Sequence, residues 1–203
     1  MRQREAHKEA TRQRLLAAGA AVIKRGGFAA TGVDQLMQAA GLSGAALYAY
    51  FPGKAALLAA IVDVELPRSL RRLTGDADEP AEQALHRCLD RYLTLEHVRH
   101  PEQGCLLPAL AAELARADPA LVQHVHAACQ PFADFWAAKL QRPEAGAVLL
   151  AQCVGAITLA RLCPDETQQA ALLAASKTLL LERLLPVAVN ASPSATAATA
   201  AHS

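Results

Sequence analysis

Five cysteines, Cys88, Cys105, Cys129, Cys153 and Cys163, and seven histidines are the residues of this chain best able to do covalent or metal chemistry. The cysteines are odd in number, widely spaced and without a CxxC pair. That pattern argues against a disulfide framework and against a structural zinc site, and fits reduced thiols in a cytoplasm. His126 and Cys129 share one helical face, but His124 points elsewhere and no second pair exists, so no metal site is assigned. No nucleophile elbow, phosphate loop, glycine-rich dinucleotide turn or HExxH motif occurs, and the sequence assigns no catalytic residue and no cofactor. One thiol stands out. Cys105 follows Gly104 at an expected helix start, where amide dipoles favour a thiolate, and it is the candidate sensor thiol; its other reading is a small buried hydrophobe.

What remains is binding chemistry, and its densest stretch is GLSGAALYAYFPGKAAL at residues 41–57, where two tyrosines and a lysine stand among small residues. The charge distribution frames it. Residues 1–64 hold eight Lys/Arg against four Asp/Glu, a net +4, so that the formal +1 of the whole chain leaves −3 for the rest. A basic module joined to an acidic one makes nucleic acid the first partner to consider.

Hydrophobic residues make up 53% of the 203 residues and aromatics only 4%, a mixture dominated by Ala and Leu that predicts an all-α chain. Leu15, Leu16, Val22 and Ile23 mark one apolar stripe of a first helix, which Gly26 and Gly27 should close. Thr31 is placed to cap a second helix, with Asp34 completing a capping box, and Val33, Leu36, Met37 and Ala40 give its core face. Gly41 stops that helix and Ser43 is placed to cap a third. Leu47, Tyr50 and Phe51 would then pack inward while Gly44, Ala45, Tyr48 and Ala49 share the outer face. Two short helices joined by a glycine-containing turn make a helix-turn-helix, whose second helix enters the DNA major groove.

From Gly27 to Asp63, GFAATGVDQLMQAAGLSGAALYAYFPGKAALLAAIVD resembles the DNA-binding segment of TetR-type transcriptional repressors. The shared features are a Gly-Phe turn, a Thr-led helix, Ala-Gly-x-Ser at the turn, Leu-Tyr-x-Tyr-Phe in the recognition helix and a lysine opening the next helix. The resemblance implies that Thr31 and Ser43 donate to phosphates, that Tyr48 lies against the DNA backbone and that Lys54 grips a phosphate. Arg12 and Arg14, with the basic arm before them, would add sequence-independent affinity. Two positions depart from the family. Gly44 stands where a Lys or Arg is usual, and Ala49 where a polar residue is usual. Base readout would rest on Tyr48, on contact of Ala45 or Ala49 with thymine methyls, and on DNA shape.

Turn signals divide the remainder into six expected helices, at about 54–73, 80–99, 105–117, 118–141, 143–162 and 165–185. Pro67 and Pro131 are expected to bend the helices that hold them, and residues 187–203 read as a disordered tail. The expected organisation is a three-helix DNA-binding domain at 1–52 and a six-helix effector-binding and dimerisation domain at 53–186. The last two helices, 143–185, are too apolar to be covered by one copy of the chain and should meet their counterpart across a two-fold axis. In TetR-like proteins the corresponding pair forms the dimer. Tyr92, His97, His126, Phe132, Phe135 and Trp136 are the candidate effector-pocket residues, the alternative for each aromatic being a place in the core. No run of about twenty apolar residues suggests a membrane span, and the charged N-terminus does not resemble a signal peptide.

The expected function is a homodimeric, cytoplasmic repressor released from operator DNA by a small molecule or by thiol modification. The alternative is a ligand-binding or interaction dimer whose helix-turn-helix has lost specific DNA readout through Gly44 and Ala49.

Overall fold

A computed structural model describes residues 2–185, and the expected tail at 187–203 lies outside them. Among the described residues every regular element is helical. In order they are α1 (Arg2–Gly26), α2 (Val33–Ala39), a short 3-10 helix η1 (Gly44–Ala49), α3 (Lys54–Thr74), α4 (Ala81–Tyr92), α5 (Leu95–Arg99), α6 (Leu107–Leu114), α7 (Pro119–Leu140), α8 (Ala145–Ala160) and α9 (Glu166–Leu184).

The boundaries follow local chemistry. Gly27, at φ 82°, lies just beyond α1, and Gly41, at φ 71°, turns the chain after α2; both use the left-handed region that glycine enters without a steric cost. Asp118 and Asp165 cap α7 and α9, their carboxylates accepting the amides of Ala120 and Gln168 at 2.8 Å each. Pro108 sits in the first turn of α6, where its missing N–H costs nothing. Pro67 and Pro131 lie inside α3 and α7, each of which runs on as one helix.

Three local expectations are corrected. The Thr31 hydroxyl does not cap α2: it donates to the Gly27 carbonyl at 2.6 Å, so the N-cap position falls to Gly32 and no capping box with Asp34 forms. The third helix is a 3-10 turn rather than an α-helix. The expected helix at 80–99 breaks at Leu93, because the Thr94 hydroxyl accepts the His97 amide at 3.1 Å and starts α5 afresh. Among the described residues after residue 53 there are therefore seven helices where six were expected.

One hydrophobic cluster runs through the chain, from Leu15, Leu16 and Ile23 of α1, through Leu57, Ile61 and Leu66 of α3 and Trp136 of α7, to Leu184 of α9. Each fully buried leucine or isoleucine contributes roughly 1.5–3 kcal/mol. Where α8 begins, Gly146 lies so close to the Ala133 backbone of α7 that a β-carbon would collide with main-chain atoms. The α7–α8 crossing therefore requires glycine.

Candidate nucleic-acid interface and effector cavities

Leu36 and Met37 of α2 and Leu47 of η1 are buried beside Phe51, which anchors the short elements to α1 and α3. With Leu47 inward, the opposite side of η1 faces solvent. Tyr48 is 73% exposed, and Ser43, Ala45 and Ala49 are exposed with it. The side chain of Ser43 makes no capping hydrogen bond. Gly44 is half-buried because the Asp34 carboxylate occupies the space where its β-carbon would project. The small residue is thus explained by its neighbour.

The other candidate contacts divide. Arg14 is exposed on α1, whereas the Arg12 guanidinium lies 5.3 Å from the centre of the Phe51 ring and 3.6 Å from Glu9. Arg4, Glu5, His7 and Lys8, nearer the start of α1, form a cleft of 490 Å³ with Ala49 and Tyr50, so the charged arm borders η1 directly. Two expected phosphate ligands are engaged within the fold. Thr31 is only 2% exposed, and Lys54 donates to the Phe28 carbonyl at 2.6 Å with its ammonium 4.3 Å from the centre of the Phe28 ring.

Contacts that sequence reading missed join this face to the rest of the chain. Lys24, at the end of α1, is buried, pairs with Glu65 of α3 at 2.7 Å and donates to the Gly104 carbonyl at 3.1 Å. Its neighbour Arg25 pairs with Glu102 at 3.0 Å, which pulls the Glu102 carboxyl down to about 2. From α6, the Glu113 carboxylate accepts the amides of Phe28 and Ala29 at 3.1 and 2.7 Å, bracing the turn between α1 and α2. A signal for the first contact did exist. Lys24 follows the buried Ala20 by four residues and Glu65 follows the buried Ile61 by four, which places opposite charges in the buried phase of two helices.

The six expected effector residues do not share one cavity. Tyr92 and His97 border a cleft of 350 Å³ with Arg72, Arg91 and Gln103. His126 borders another of 500 Å³ between α6, α7 and α8, together with Cys129. Phe132 and Trp136 are core residues at 2% and 0% exposure, and Phe135 packs edge-on against Trp136 with ring centres 5.4 Å apart. The Tyr92 hydroxyl and Trp136 Nε1 are buried without a hydrogen-bond partner among the described residues. A third cleft, of 810 Å³, lies where the Phe28 turn, α3, α6 and α7 meet.

The candidate thiol lies in the turn before α6. Cys105 is 2% exposed, and its amide donates to His97 Nε2 at 3.0 Å while His97 Nδ1 lies 2.9 Å from the Tyr92 carbonyl. The ring is therefore neutral, donating at Nδ1 and accepting at Nε2. Burial holds its pKa below the ordinary 6.5, aided by Arg161 and Lys24 and opposed by the Tyr92 carbonyl. His124 contacts Asp63 of α3 and borders the 810 Å³ cleft, whereas His126 borders the one of 500 Å³.

On α8, α9 and the turn between them, Val148, Leu159, Leu162 and Leu179 are exposed, while Ile157, Leu173 and Leu180 turn inward.

Residues 15–61 match the family of bacterial regulatory proteins described as the tetR family. No curated protein matches the sequence. Among solved structures the chain is similar to the reduced form of NemR from E. coli, with 19% identity, a TM-score of 0.74, and coverage of 89% of this chain and 100% of that one. It is also similar to a TetR transcriptional regulator from Chloroflexus aurantiacus, with 22% identity, a TM-score of 0.72, and coverage of 90% and 96%. A fatty acid degradation regulator, FadR from Bacillus halodurans, aligns at 16% identity and a TM-score of 0.64, covering 86% of this chain and 96% of that one.

Proposed function

Because residues 15–61 match the tetR family of bacterial regulatory proteins and the fold is similar to that of a TetR transcriptional regulator, we propose that the chain is a cytoplasmic homodimeric repressor of that family that leaves its operator when a small molecule binds among α3 to α8. The family is one of DNA-binding regulators. The observation that carries the finer reading is the outward face of η1, where Ser43, Ala45, Tyr48 and Ala49 are presented together beside the basic start of α1. Lys and Arg side chains at that arm would neutralise phosphates and release counterions, supplying affinity that falls with salt. Tyr48 would lie on the backbone, and the alanines would touch thymine methyl groups. Arg14 contributes as a free basic side chain. Arg12, Thr31 and Lys54 act mainly by fixing the shape of the module, since their polar groups are already engaged.

A protomer with so few base contacts needs a second one. Val148, Leu159, Leu162 and Leu179 form the apolar surface through which α8 and α9 would meet their counterparts, so that two η1 elements could enter successive major grooves. Effector binding would act by favouring a geometry in which the two no longer match that spacing. Control through Cys105 would need an opening step first, because the thiol is buried.

The reading is tested by selecting fragments of the host genome with the purified protein and sequencing them. The expected result is a shared inverted repeat with half-sites about 10 base pairs apart or a multiple of that. Recovery of fragments with no common motif would leave the ligand-binding or interaction dimer as the better account.

A further inference from the structure

We propose that the 810 Å³ cleft under the Phe28 turn is the effector site, and that it takes a cationic amphiphile: an apolar body with one positively charged end. The proposal deepens the repressor reading and rests on it for the link to DNA, while the binding itself does not.

The cleft is built for an apolar body. Leu58 of α3, Leu110 and Leu114 of α6 and Leu121 of α7 provide its walls, and Ala55 and Ala59, where larger residues would fill it, leave the space open. Its volume falls within the range of ordinary small-molecule sites. The charged groups that line it are unequal: the carboxylates of Asp63, Glu113 and Asp118 stand against the guanidinium of Arg116, with His124 in contact with Asp63 and the Lys54 ammonium, outside the lining, over the Phe28 ring. An apolar cavity rimmed by excess negative charge discriminates against fatty anions and favours a cation.

The location supplies the coupling. Glu113 lines the cleft and also accepts the Phe28 and Ala29 amides, and Phe28 itself forms part of the wall. Lys54 donates to the Phe28 carbonyl at 2.6 Å. A cation drawn to Glu113 competes with those two amides for the same oxygens, and an apolar body against Phe28 presses on the turn that connects α1 to α2. Both effects loosen the position of η1 relative to α6 and α7. The bound and unbound states thus differ in contacts at a named place, as a ligand-driven shift requires.

The test uses three probes of equal chain length, decyltrimethylammonium, decanoate and decanol, titrated calorimetrically into the full-length protein below their micelle concentrations. The expected result is binding of the cation at least tenfold tighter than of decanoate. Ala59→Trp, which fills the cleft, should abolish binding, and Glu113→Gln, which keeps an amide acceptor but removes the charge, should weaken the cation tenfold; circular dichroism melting establishes that each variant is folded. Equal affinity for cation and anion, or cation binding unchanged in both variants, overturns the site. Because calorimetry is read without DNA, it stands or falls apart from the repressor reading. The same cation must then lower the affinity for an operator obtained by genomic selection, and saturation without release overturns the coupling.

Discussion

Lys24 on α1 and Glu65 on α3 form an ion pair at 2.7 Å with both side chains almost wholly buried, and the same ammonium reaches the Gly104 carbonyl at 3.1 Å. One lysine thereby ties the end of the first helix to the helix that follows the DNA-binding elements and to the loop before α6. Lys24→Met leaves the Glu65 carboxylate in the interior with only Arg68, 3.0 Å away, as a partner. It should cost up to about 3–5 kcal/mol in urea unfolding, the penalty for breaking a buried pair by removing one partner, with Arg68 offsetting part of it. Lys24→Met with Glu65→Leu should be less damaging than Lys24→Met alone, because the buried carboxylate is gone.

His97 makes stability depend on pH in one direction. Burial holds its folded pKa below 6.5, so the unfolded chain binds a proton more readily than the folded one. The contribution is fully present above about 6.5 and is lost as the pH falls through the lower folded value, because protonated Nε2 can no longer accept the Cys105 amide. His97→Gln, whose amide oxygen can accept in place of Nε2 and which does not titrate, should flatten this part of the profile when melting temperature is followed from pH 8 to 5. An unchanged profile would assign the pH dependence to other groups.

The two kinds of contact expected on DNA should separate by mutation. Arg14→Ala should weaken all duplexes alike and reduce the slope of log affinity against log salt by about 1. Tyr48→Ala should weaken the operator more than an unrelated duplex. With Gly44 and Ala49 lacking hydrogen-bonding side chains, single base-pair changes should cost no more than roughly 1–3 kcal/mol each, as read from competition titrations.

Leu159 and Leu179, at 56% and 57% exposure, are the most direct probes of association. Leu159→Asp with Leu179→Asp places charges where two apolar faces should meet, and analytical ultracentrifugation should show a dimer for the parent chain and a monomer for the double variant at the same concentration. The double variant should still melt cooperatively, since neither leucine belongs to the interior.

Thiol labelling checks the standing of Cys105. Cys88, Cys105 and Cys153 are buried, and burial raises the thiol pKa of Cys129 to about 11, so Cys163 should react first with a neutral disulfide reagent. Mass spectrometry of the labelled protein gives the order. Early modification of Cys105 would show that the turn before α6 opens readily, and would return the thiol to the list of control points.

The helical class, the apolar stripes of α1 and α2 and the glycine stops at Gly27 and Gly41 are legible in the sequence because each depends on residues within one or two turns. Thr31 shows where local reading fails: its hydroxyl had two acceptable uses, and the Gly27 carbonyl four residues back took it. Thr94 hides a helix break inside an unbroken periodic pattern for a similar reason. The outward places of Ala45, Tyr48 and Ala49 follow from the inward phase of Leu47 and were readable, whereas Gly44, read as outward too, is half-buried against Asp34. The clefts were not. They arise between helices whose pairing has no local code, so Phe132 and Trp136 could be read as pocket residues although packing against neighbours makes them core. Glu113 carries no local signal at all, because the amides it holds lie 85 and 84 residues away.

The most direct test of the account is fluorescence anisotropy of the purified protein with a labelled duplex from beside its own gene, at near-physiological salt, with unlabelled specific and scrambled duplexes as competitors. The account predicts nanomolar binding with two protomers per duplex, displaced by the specific competitor at concentrations on the order of a thousandfold lower than by the scrambled one. Equal displacement by both would contradict sequence-specific repression and would mean that Gly44 and Ala49 have left the face of η1 able to hold DNA but not to read it.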